Sequence, residues 1–100
     1  MTKLLSGQTT LTTAGTEVKL GSGTVNGGVI VKTLSTNTGT MYVGNDGNDA
    51  VSSSTGFPLG AGDVMVFDYI DILDNVWVDS SVNGEKVAWS ILDQSRGLYK

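Results

Sequence analysis

The sequence predicts an all-β fold, a small antiparallel β-sandwich of jelly-roll-like or immunoglobulin-like type, with a small β-barrel as the alternative. Three observations lead there. Apolar and polar residues alternate at period two in several short segments. Glycine, asparagine and serine clusters separate those segments at spacings that suit a sandwich or barrel. No stretch carries a long helical repeat of apolar residues.

The elements follow in order. Residues 8–13 (QTTLTT) read as a polar, Thr-rich strand at a sheet edge, and 17–20 (EVKL) alternate. Asn26 and Gly27, within GSGTVNGG, mark a turn. Residues 28–34 (GVIVKTL) are the strongest strand, with Val29 and Val31 on one face and Ile30 and Leu34 on the other. Strands at 40–43 (TMYV) and 63–67 (DVMVF) follow, either side of a loop. Asp68 and Asp71, three apart in 68–74 (DYIDILD), suggest one helical turn. Residues 76–79 (VWVD) and 85–92 (EKVAWSIL) read as a hairpin around Asn83 and Gly84, a pair that suits a type I′ turn. Val87, Trp89 and Ile91 share a face there, and at least one of Trp77 and Trp89 is expected to anchor the core. Short turns between neighbouring strands favour antiparallel pairing.

One hundred residues make one domain. Its expected limits are an N-terminal arm at 1–7, a single β domain at 8–92 and a C-terminal tail at 93–100. The content of 39% hydrophobic residues argues against disorder. The net charge is −4 and the six Lys and Arg residues are scattered, which argues against a nucleic-acid partner. The opening MTKLLSGQTT has too short an apolar run for a signal peptide, and nothing approaches a membrane span. Without cysteine there is no disulfide or thiolate metal site, and without histidine no Ser-His-Asp or Cys-His catalysis within this chain.

Residues 45–49 (NDGND) are the sharpest chemical candidate. Asp46 and Asp49, with the asparagines and backbone carbonyls, are oxygen ligands of the kind calcium takes. The run resembles one unit of the calcium-binding nonapeptide repeats, which work by stacking, but only one copy is present. The twelfth position counted from Asp46 is Phe57, where an EF-hand needs glutamate. A turn of residues that tolerate positive φ is the plainer reading, so the expected cofactor set is none, with calcium as the alternative. Asp68, Asp71, Asp74 and Asp79 read as a solvated acidic rim rather than an acid–base pair or a magnesium site. The serines at 52–54 have no activating base, and the Gly-rich segment at 21–28 lacks the ending of a phosphate loop. Pro58 belongs at an edge or in a loop, leaving Phe57 and Leu59 either packed inward or shown to a partner.

Several motifs stand in a fixed order: AGTEVKL at 14–20, NTGTMYVG at 37–44, STGFPLGAGD at 54–63, VWVD at 76–79 and NGEKV at 83–87. This order resembles small virion structural proteins of tailed bacteriophages, in which an NTG-(V/I/M)-YVG strand precedes a G-(F/Y)-PL turn and an NG hairpin. The resemblance covers roughly residues 8–92. It implies a non-enzymatic β domain located in the virion, as a capsid decoration or head-surface protein bound to the major capsid protein or other virion proteins. It also implies a homo-oligomer or many copies on a symmetric particle, with neither nucleic acid nor membrane as partner. Phe57, Pro58 and Leu59, together with the chain ends, are the expected contact residues. The alternative is a tail, baseplate or fibre module that binds a host receptor or carbohydrate through aromatics such as Tyr42, Tyr69 or Trp77.

Overall fold

The computed structural model describes residues 6–44 and 51–92. Among the described residues eight strands form two sheets: β1 (Ser6–Leu11), β2 (Val18–Lys19), β3 (Thr24–Thr33), β4 (Met41–Gly44), β5 (Phe57–Leu59), β6 (Val64–Ile72), β7 (Trp77–Ser80) and β8 (Glu85–Ile91). The first sheet has the order β1-β8-β3-β6 and the second β2-β7-β4-β5. Every pairing is antiparallel.

That order is a jelly roll. β1 pairs with β8, β2 with β7, β3 with β6 and β4 with β5, as in one long hairpin whose tip is the β4–β5 connection. The ribbon is rolled so that β3 also meets β8 and β4 also meets β7. The sandwich expected from the sequence is therefore present.

The inward residues follow the alternation read from the sequence. Leu11, Val29, Val31, Val87 and Ile91 from the first sheet meet Leu20, Met41, Val43, Leu59 and Val78 between the layers, all buried. The hydrophobic effect acts on these side chains at about 25 cal/mol per Å² of apolar area removed from water. Trp89 packs against this core, as expected for at least one tryptophan. Trp77 stands on the outer face, half-buried, with Lys19 Nζ 5.8 Å from its ring centroid.

Four local expectations are corrected. Asn83 and Gly84 do not close a hairpin, because β7 and β8 lie in different sheets. The segment is an arch: Gly84 alone takes a positive φ of 81°, its N–H donates to the Leu11 carbonyl at 2.7 Å, and Asn83 Oδ1 accepts from the Ala14 N–H at 2.7 Å. Asn26 and Gly27 do not turn the chain either. Asn26 takes a φ of 49° inside β3, where it makes a β-bulge. Three steps of β3, from Thr24 to Gly27, face two of β6; then two steps of β3 face three of β6, around Asp68 and Tyr69. The two irregularities cancel, which returns both strands to register, and Tyr69 donates its hydroxyl to Asn26 Oδ1 at 3.0 Å between them. The helical turn expected within 68–74 is mostly strand, since β6 runs to Ile72 and the turn is a short 3₁₀ segment at Leu73–Asn75. Finally, β1 begins at Ser6, which pairs with Ser90, so two residues of the expected arm belong to the sheet.

Candidate functional site

The four lateral edges of the sandwich differ in ways that matter for binding. An edge strand offers unpaired N–H and C=O groups to another chain, and proteins blunt such edges by shortness, proline or polar residues. β2 has two residues, and β5 has three, with Pro58 in the middle. β1 (SGQTTL) shows only polar side chains and glycine until Leu11 turns inward. β6 is different. It has nine residues, it pairs only with β3, and among the described residues nothing pairs with its outer side.

The side chains of β6 add to this. Val64 and Val66 point out of the sandwich and are 47% and 52% exposed, while Met65 and Phe67 point inward but are only half-buried. The cause lies across the sandwich. β5 sets three residues against the nine of β6, so the second sheet does not reach over the inner face of that strand. A groove of about 670 Å³ opens there, walled by Met65, Phe67 and Tyr69 on one side and Phe57 on the other, with Val43 and Val76 deeper in. Phe57 and Tyr69 at its mouth are 57% and 59% exposed.

The expected contact residues divide at this point. Pro58 pairs opposite Tyr42 on an edge strand, and Phe57 and Pro58 are exposed, whereas Leu59 is buried in the core. Sequence reasoning missed Val64 and Val66, and it named Tyr69 only as an aromatic of the alternative, carbohydrate-binding reading. The signal was present: Val64, Met65, Val66 and Phe67 are four consecutive apolar residues, a pattern proper to a strand covered on both faces. Here the strand stands at an edge.

The carboxylates do not gather. Asp71 accepts from its neighbour's amide and from Asn75 Nδ2 at 3.0 Å. Asp74 accepts from the Gly23 N–H at 3.0 Å and lies 3.6 Å from Lys19 Nζ. That amide bond comes first among the causes that act on its carboxyl; desolvation, next in size, opposes it, and the Asp74 backbone amide and Lys19 add to the lowering, which leaves the carboxyl below its ordinary value. Asp68 is exposed at the bulge. Asp79 was grouped with this rim and does not belong to it: it is buried on the outer face of the second sheet. Among the described residues no three metal-ligating side chains come together. Asp46 and Asp49 lie outside the described residues.

The motifs behind the family resemblance hold the fold together. Asn37 acts as an extra rung on β8: its Nδ2 donates to the Lys86 carbonyl at 2.8 Å, and its Oδ1 accepts from the Lys86 N–H at 3.0 Å. The Glu85 carboxylate, buried, accepts from the amides of Thr38 and Gly39 at 2.9 and 2.7 Å. NTG at 37–39 and NGEK at 83–86 are thus two halves of one clamp. Comparison with protein-family models matches no family, and comparison with curated proteins finds no relative.

Proposed function

We propose that this chain is a non-enzymatic structural component of a tailed-phage virion, a head-surface protein that binds other virion proteins through the β6 edge and its groove. The observation that carries the docking part is the two-faced apolar strand at an open edge, flanked by exposed Phe57 and Tyr69. The motif order at 14–87 supports the virion part. The jelly roll is compatible with it, since viral capsid domains use this architecture, as do lectins; fold alone does not assign a function.

The physics of assembly fits. An ordinary interface of about 800 Å² per partner would cover roughly one seventh of the 5608 Å² surface. A partner strand added to β6 would satisfy its free backbone groups and cover Val64 and Val66 in one step. Repetition over a symmetric particle multiplies such contacts. The test is particle composition. Purified virions of a phage that encodes the chain should contain it in fixed stoichiometry, and Val66→Lys should remove it from them. Detection only in infected-cell lysate, never in particles, would overturn the proposal.

A further inference from the structure

The outer face of the second sheet carries a second, polar pocket of about 380 Å³ that shares no lining residue with the groove at β6. Its base is the cross-strand pair Tyr42 and Asp79. The β1–β2 connection contributes Gly15, and the segment before β5 contributes Ser52 and Ser53. Ser81, from the arch after β7, completes the rim.

Asp79 is the unusual member. It is 4% exposed, and among the described residues no cation pairs with it. Its Oδ1 accepts from the Gly15 N–H at 2.9 Å and from the Ser80 N–H at 2.8 Å, while among the described residues nothing donates to Oδ2. Among the described residues no fully buried side-chain oxygen lacks a partner, so Oδ2 is not sealed in, and Asp79 lines the pocket. A carboxylate oxygen so placed is a strong acceptor. Among the described residues nothing hydrogen-bonds to Ser53, which stands exposed at the rim.

We propose that this pocket binds one neutral sugar residue, with a ligand hydroxyl donating to Asp79 Oδ2. The serine hydroxyls both donate and accept, as neighbouring sugar hydroxyls require, and Tyr42 supplies a flat wall for the C–H face of the ring. The volume lies at the small end of the roughly 300–1,000 Å³ in which proteins hold small molecules. The rest of the lining favours a polyol over an ammonium ion, because Ser52, Ser53, Ser80 and Ser81 bring hydroxyls and no second carboxylate stands among the lining residues. The inference does not rest on the virion reading.

The test begins with the full chain on an array of glycans ending in neutral hexoses and N-acetylhexosamines. Hits are then titrated as free sugars against the ¹⁵N-labelled chain. Amides of Gly15, Ser53, Asp79 and Ser80 should shift. Asp79→Asn keeps an acceptor for Gly15 and Ser80 but can set an NH₂ donor where Oδ2 accepted, and Ser53→Trp fills the pocket without removing a native hydrogen bond. Each should weaken binding at least about tenfold with the fold intact by its amide spectrum, and Asp79→Asn should leave incorporation into particles unchanged. The proposal is overturned if no glycan binds, if binding survives Ser53→Trp, or if n-butylammonium shifts these amides while no sugar does.

Discussion

β1 and β6 close the same sheet from opposite sides, and they are made from opposite chemistry. Along β1, Thr10 and Gln8 face water, and Trp89 covers the inner side, so close over Gly7 that a Cβ there would come within 2.8 Å of its ring. The Thr9 hydroxyl donates to the Leu20 carbonyl at 2.6 Å, which ties the edge to the other sheet. Along β6, valines face water and the inner side opens into a groove. The difference shows where this small domain keeps its stability and where it leaves surface for another molecule. Apolar area sealed at β1 stabilises the folded chain; apolar area left open at β6 can stabilise only an assembly.

The contrast is open to direct test, and the largest effect is expected on the sealed side. Leu11→Ala, at a fully buried position, should cost about 3 kcal/mol by denaturant unfolding. Val66→Ala on the open side should stay within about 0.5 kcal/mol, since truncation of an exposed side chain leaves no cavity. Equal costs at the two sites would remove the distinction. Next comes the clamp that joins 37–39 to β8. Glu85→Ala leaves the Thr38 and Gly39 amides without their acceptor and should cost about 2 kcal/mol.

Binding should show the reverse order. Val66→Lys should weaken incorporation into particles at least tenfold, about 1.4 kcal/mol, with an unfolding midpoint close to that of the parent chain. Gln8→Lys on β1 should leave incorporation unchanged, and a loss there would place the contact on the wrong edge. The smallest effect concerns acid. The Asp74 carboxyl sits below its ordinary value of 3.8, chiefly through the Gly23 amide, so its ionised form favours the folded chain. That contribution is complete above 3.8 and is lost as pH falls through the lowered value. The stability difference between the parent and Asp74→Asn should therefore be present at neutral pH and vanish in stronger acid. A difference that is constant with pH would refute this origin. Because Asp74 itself does not line the groove at β6, the effect should appear in unfolding and not in particle binding.

Much of this was legible in the strands and little of it in their partners. Period-two alternation marks 28–34 and 85–92 without help from the rest of the chain, because side-chain direction in a strand is a local property. Pairing is not local. Asn83 and Gly84 suit a hairpin, yet the same positive φ at Gly84 serves an arch between sheets. Asn26 likewise has the conformation expected of a turn residue but uses it to bulge β3. The apolar run at 64–67 announced a strand, and only the roll placed that strand at an edge opposite a three-residue partner. Asp79 reads as exposed in VWVD; the segments around Gly15 and Ser52, distant in sequence, cover it.

The sequence by itself determined that this chain is all β, where most strands run and which face of each is apolar, since those properties follow from residue chemistry and a two-residue repeat. The tertiary structure decided which strands meet, which edge stays open and which carboxylates are buried. Each of these depends on contacts between residues far apart in the chain, which no local pattern records.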